Sequence, residues 1–109
     1  MQLRRYALAV ADFEVLQAAE PNNPRYLVGL GMAHIGAGNG ASALVAFNQL
    51  LATKPSALGY YGRALAKAFL GNALEAKEDL SKAVQLEPAN PNFRQLLERW
   101  KSGVTLSLK

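Results

Sequence analysis

The chain contains no cysteine, a single histidine and a single tryptophan in 109 residues. Without cysteine there is neither a disulfide framework nor a thiolate metal site, which excludes a small disulfide-stapled secreted scaffold. One histidine excludes a multi-histidine metal cluster. Charge is also sparse, at 18% of residues against about 25% in an average domain. Half of the residues are hydrophobic, so this chain has the apolar surface to form a core and is not disordered. No apolar run approaches the ~20 residues of a membrane span. The opening Met1-Gln2-Leu3-Arg4-Arg5 leads to Asp12 and Glu14, not to a long apolar stretch, so no secretory signal is read. The compartment is left unassigned, with the cytoplasm as the default.

What is present is enough for one domain. The net charge of +4 comes from 12 basic and 8 acidic side chains. Arg4 and Arg5 are the only adjacent basic pair, and this scatter argues against a nucleic-acid surface, which stays a remote alternative.

Prolines divide the chain at regular intervals. Pro21, Pro55 and Pro88 lie 34 and 33 residues apart, and Glu20-Pro21-Asn22-Asn23-Pro24 is echoed by Glu87-Pro88-Ala89-Asn90-Pro91. Upstream of them run Ala9, Phe13 and Leu16; Ala43, Phe47 and Leu50; then Ala76, Leu80 and Ala83. Steps of four and three put each trio on one helical face, and a period in the thirties marks a solenoid.

Each period divides into two helices. Asn23 can cap a helix opened by Pro24 and running to about Ala37, where Gly38 supplies a left-handed closing residue. A second helix is predicted from about Ala41 to Thr53, stopped by Pro55. The plan repeats as Ala57 to Leu70, a Gly71-Asn72 turn, and Ala73 to Leu86. Asn90 and Pro91 start a last helix to about Lys101, and a single helix from about Leu3 to Ala19 precedes Pro21. The reading is an all-α domain over residues 1–102. It comprises a half repeat (3–22), repeats at 24–56 and 57–90, a terminal helix (91–101) and a flexible tail at 103–109.

These residues resemble the tetratricopeptide repeat, whose pattern is W-x2-L-G-x2-Y, then A-x3-F, then P. Leu27 stands at the tryptophan place, Leu30-Gly31 match the Leu-Gly pair, His34 replaces tyrosine, and Ala43, Phe47 and Pro55 complete the unit. In the second unit Tyr60-Tyr61-Gly62-Arg63-Ala64 is similar to a common variant opening, followed by Ala76, Leu80, Ala83 and Pro88. The unit before Pro21 keeps Tyr6, Ala9, Phe13 and Pro21. The resemblance implies a right-handed superhelix of helix-turn-helix units. It places the small residues Gly31, Ala43, Ala64 and Ala76 at close helix crossings, with Leu27, Phe47, Tyr60 and Leu80 filling the spaces beside them.

No catalytic set is assembled, because His34 is the only base of the usual kind and falls at an interhelical packing place. No metal or cofactor site is read. Gly36-Ala37-Gly38-Asn39-Gly40 has the wrong spacing for a phosphate loop, lacks a following Lys-Ser/Thr and joins two helices; it reads as an interhelical turn. Glu75, Glu78 and Asp79 read as a solvated face beside Lys77 and Lys82, with Glu78 and Lys82 as a surface pair. Trp100, four residues from Leu96, is expected to close the core end.

Function is read as protein binding, with no enzyme activity. The resemblance implies a concave groove lined by the first helix of each pair. Its residues here are Arg25, Val28, Met32 and Ile35, then Tyr61, Leu65 and Phe69, then Gln95 and Arg99. Gly29, Leu58 and Gly62 stand where relatives that grip the acidic tails of heat-shock chaperones carry lysine, asparagine or arginine, so that clamp is absent. A mostly apolar groove suits a peptide or an amphipathic helix of another protein. Met32, Leu65 and Phe69 read equally well as packing residues. The first helix lacks a paired helix on one side, which leaves Tyr6, Leu8 and Phe13 bare. Either the chain is a fragment of a longer protein or this end pairs with another copy, which gives a self-associating structural subunit as the alternative function. Each large side chain left bare there forfeits roughly 1.5–3 kcal/mol of burial.

Overall fold

Asparagine and proline set the helix starts. A computed structural model describes residues 2–102, and there the chain is all-helical: α1 (Gln2–Ala19), α2 (Pro24–Gly36), α3 (Gly40–Thr53), α4 (Ala57–Phe69), α5 (Ala73–Leu86) and α6 (Pro91–Lys101). The Asn23 side chain accepts a hydrogen bond from the Arg25 amide at 3.0 Å, and Asn90 accepts from the Asn92 and Phe93 amides at 3.0 and 3.2 Å. Both asparagines also donate to the glutamate three residues back, Glu20 and Glu87, each at 3.2 Å. The echoed Glu-Pro-x-Asn-Pro segments therefore fold alike. Ser56 caps α4 by accepting from the Gly59 amide at 3.0 Å. The expected tail at 103–109 lies outside the described residues.

Gly38 and Gly71 close α2 and α4 with φ of +85° and +86°. That conformation costs an L side chain about 1–2 kcal/mol, so glycine lets each chain reverse into its paired helix. Consecutive helices then pack along the chain, and α2 also packs on α4.

Small residues decide how closely the helices approach. Leu27, Ala43, Phe47, Ala64, Ala76, Leu80 and Ala83 are all 0% exposed. The Phe47 ring lies between Gly31 of α2 and Gly62 of α4; a Cβ on Gly31 would stand 2.6 Å from the ring. Phe47 packs with Leu27, Ala43, Leu50 and Ala66, whereas Leu65, Leu80, Phe93, Leu97 and Trp100 belong to a second cluster under α4, α5 and α6. Trp100 does close that end of the core, at 3% exposed. Tyr60, expected to fill a gap, is half-buried. Its ring carries Arg63 on one contact and Lys82 on another, at 5.6 and 5.4 Å.

Candidate functional site

Residues on α2, α4 and α6 that were expected to line one groove fall into two open ends and a buried middle. At one end Met32 and Ile35 of α2 join Tyr6 and Phe13 of α1 around a cleft of about 430 Å³, with Ala9, Gly29, Ala33 and Gly36 completing its wall. This end is apolar: Phe13 and Ile35 are half-buried, and Tyr6 and Met32 are 38% and 37% exposed. At the other end Tyr61 of α4 meets Asn92, Gln95, Leu96 and Arg99 of α6 around a space of about 320 Å³. The Tyr61 ring is packed on Phe93 with centroids 4.9 Å apart, which fixes its orientation. This end is polar, since Gln95 and Arg99 are exposed.

In the middle, Leu65 takes the packing role of its two readings. It is 7% exposed and belongs to the core, with Ile35 packed against the same cluster. Met32 stands 33 residues earlier, at the same place in α2, yet remains open. The difference is the neighbour: α2 stands beside α4, and among the described residues no helix stands beside α2 in the equivalent way. Val28 and Phe69 are half-buried, and Val28 packs on the Phe47 cluster. Arg25 is exposed and lines neither end, and Leu8, 61% exposed, lies outside the apolar cleft.

The acidic cluster is a correction. Asp79 is 2% exposed, not solvated. Arg63 donates to both of its carboxylate oxygens at 2.8 and 2.9 Å, and the Lys67 ammonium lies 2.9 Å away. Lys67 also reaches Glu75 at 3.4 Å, and Arg63 reaches Asn48 of α3 at 3.1 Å. Burial pushes the Asp79 carboxyl up, but the hydrogen bonds and charges of Arg63 and Lys67 outweigh it and hold the group below the usual carboxylate value. Arg63 is raised by its bond to Asp79, against the effect of burial. Lys82, expected beside Glu78, lies over Tyr60 instead. The signal available in the sequence was a joint departure. Arg63 and Lys67 replace Leu30 and His34 of the preceding unit, and Asp79 replaces Ala46.

His34 is half-buried, and its Nδ1 is buried without a hydrogen-bond partner. Among the described residues no group of three or more His, Asp or Glu side chains is placed to hold a metal ion. No described helix is long and apolar enough to cross a membrane.

Paired helices that repeat at an interval of 33 to 34 residues, stacked with glycine at the crossings, define an all-α repeat solenoid. A family model of the tetratricopeptide repeat matches residues 57–90, so the α4–α5 pair with its following loop is similar to one such repeat. A comparison with curated proteins gives no match.

Proposed function

We propose that the chain is a protein-interaction module, not a catalyst, and that a peptide or amphipathic helix of another protein lies along α2, α4 and α6. The supporting observation is the pair of open ends on these helices. Met32 and Ile35 offer an apolar seat, and Tyr61, Gln95 and Arg99 offer an aromatic face with side chains able to donate hydrogen bonds. An apolar anchor beside a polar, hydrogen-bonding end is the arrangement by which a segment is both held and fixed in direction.

Affinity capture with the wild-type chain, Met32→Glu and Arg99→Glu in parallel tests this reading. Both positions are open, so both variants should keep wild-type helicity by circular dichroism. A protein retained by the wild type and lost by both variants supports the surface. A specific partner retained equally by all three places its binding elsewhere.

A further inference from the structure

The first helix exposes what its counterpart buries. Ala9, Phe13 and Leu16 of α1 repeat Ala43, Phe47 and Leu50 of α3. Leu50 is 4% exposed beneath α2, whereas Leu16 is 40% exposed. Phe47 is clamped by glycines of two helices and fully buried; Phe13 meets Gly29 of α2 and is only half-buried. The uncovered flank is a continuous stripe on one helical face: Arg5, Leu8, Ala9, Asp12 and Leu16, at steps of three, one, three and four. Leu8 is 61% exposed, and both Arg5 and Asp12 are exposed.

The charges on this helix run against its own dipole. Arg4 and Arg5 stand near its start and Asp12 and Glu14 follow, while the first turn has no acidic residue and the last turn no basic one. An isolated helix favours the opposite order. A helix of the same sequence laid antiparallel favours this one, because each basic half then meets an acidic half. The stripe is also self-complementary. About a centre between Leu8 and Ala9, Arg5 faces Asp12 of the second copy twice over. A two-fold brings like flank onto like flank, so Leu8 meets Leu8 on one side and Ala9 meets Ala9 on the other.

Head-to-tail stacking fits the surfaces less well. The open face of α6 carries Arg94, Gln95, Glu98 and Arg99, which match neither the apolar cleft nor Leu8 and Leu16.

We propose that the α1 stripe docks a second copy of this chain, the two α1 helices lying antiparallel with reciprocal Arg5–Asp12 pairs and Leu8 packed on Leu8 of the second copy. This surface is distinct from the polar Tyr61–Arg99 end, which stays open in the pair.

Sedimentation equilibrium on the full chain tests the proposal. The wild type is expected to give a concentration-dependent monomer–dimer equilibrium without higher species. Arg5→Asp or Asp12→Arg alone places like charges opposite each other twice and should raise the dimer Kd by about tenfold or more. Mixing these two variants restores both pairs, so a heterodimer of near wild-type Kd is expected. Arg94→Asp, on α6, should leave the Kd unchanged. A wild type that stays monomeric throughout, open-ended higher oligomers, or a mixture no tighter than its components would overturn the proposal. A reversal at Arg94 as damaging as one at Asp12 would do so too. A monomer that instead takes up a helical segment of another protein on this stripe would assign the stripe to that partner.

Discussion

Arg63 and Asp79 form a two-bond ion pair across the α4–α5 crossing, at 2.8 and 2.9 Å, with the aspartate 2% exposed and the arginine side chain 21% exposed. The pair sits where the preceding unit has Leu30 and Ala46. One helix crossing of this chain is thus held by apolar contact alone, and the next adds a buried ion pair to its apolar contacts. A buried pair adds little net stability over well-packed apolar residues, but it fixes which groups must meet. The fork of Arg63 on the Asp79 carboxylate leaves α5 little freedom to slide along α4.

Removing one side of this pair should be costly. Asp79→Ala leaves two cations without their shared carboxylate, and loss of a buried partner costs about 3–5 kcal/mol. Arg63 and Lys67 keep some access to solvent, so the expected loss is near about 3 kcal/mol. The midpoint and slope of urea denaturation measure it.

The same pair gives a pH dependence with a definite sign. The folded Asp79 carboxyl titrates below its unfolded value, so its contribution is fully present above the unfolded value of 3.8. It is lost as pH falls through the lower, folded value. Urea midpoints measured from pH 6 downward should therefore fall in acid, and Asp79→Asn should show a shallower fall than the wild type. Equal acid sensitivity in both would assign the effect to other carboxylates.

Gly62 is set against Phe47 as Gly31 is from the other side, so the ring has no room to yield. Gly62→Ala puts a methyl group into the ring and should destabilise by about 1–3 kcal/mol through overpacking. Gly71→Ala meets no neighbouring atom and should cost about 1–2 kcal/mol, from its positive φ alone. Phe47→Leu should recover part of the loss in Gly62→Ala and none in Gly71→Ala. Double-mutant cycles on thermal or urea unfolding separate the two.

These residues also show what could be read before the fold was seen. Asn23, Asn90, Pro24, Pro91, Gly38 and Gly71 act locally, through caps and a left-handed turn, so the sequence carries helix starts and stops to within a residue or two. Phe47 and Gly31 were legible because the repeat puts large beside small at a fixed interval. Arg63, Lys67 and Asp79 were not. Charged residues at helical spacing read as a wet face, and only the α4–α5 crossing turns them inward. Leu65 and Met32 share one place in the repeat and differ only in whether a helix stands alongside. That fact belongs to the assembly of helices and to neither residue.

Phe13 and Phe47 provide the closing comparison, because one residue type occupies one repeat position in two surroundings. Phe47 is fully buried between two helices, so Phe47→Ala should cost about 3–5 kcal/mol, the range for emptying a well-packed aromatic site. Phe13 is half-buried against α2 with an open cleft on its other side, so Phe13→Ala in the monomer forfeits only part of that burial. The apolar transfer for a whole large side chain is roughly 1.5–3 kcal/mol, and about half of it is expected here. Raising the protein concentration should leave the Phe47→Ala penalty unchanged, since no second chain reaches that site. The Phe13→Ala penalty should also stay constant, because Phe13 lies against α2 and outside the α1 stripe proposed to meet a second copy. A penalty that grows with concentration is expected for Leu8→Ala instead, since linkage adds lost association there. Thermal unfolding of these variants and the wild type over a hundredfold range of concentration makes the comparison. A Phe13→Ala penalty that grows over that range would instead put the second copy over the cleft beside α1 and away from the Arg5–Leu8–Asp12 stripe.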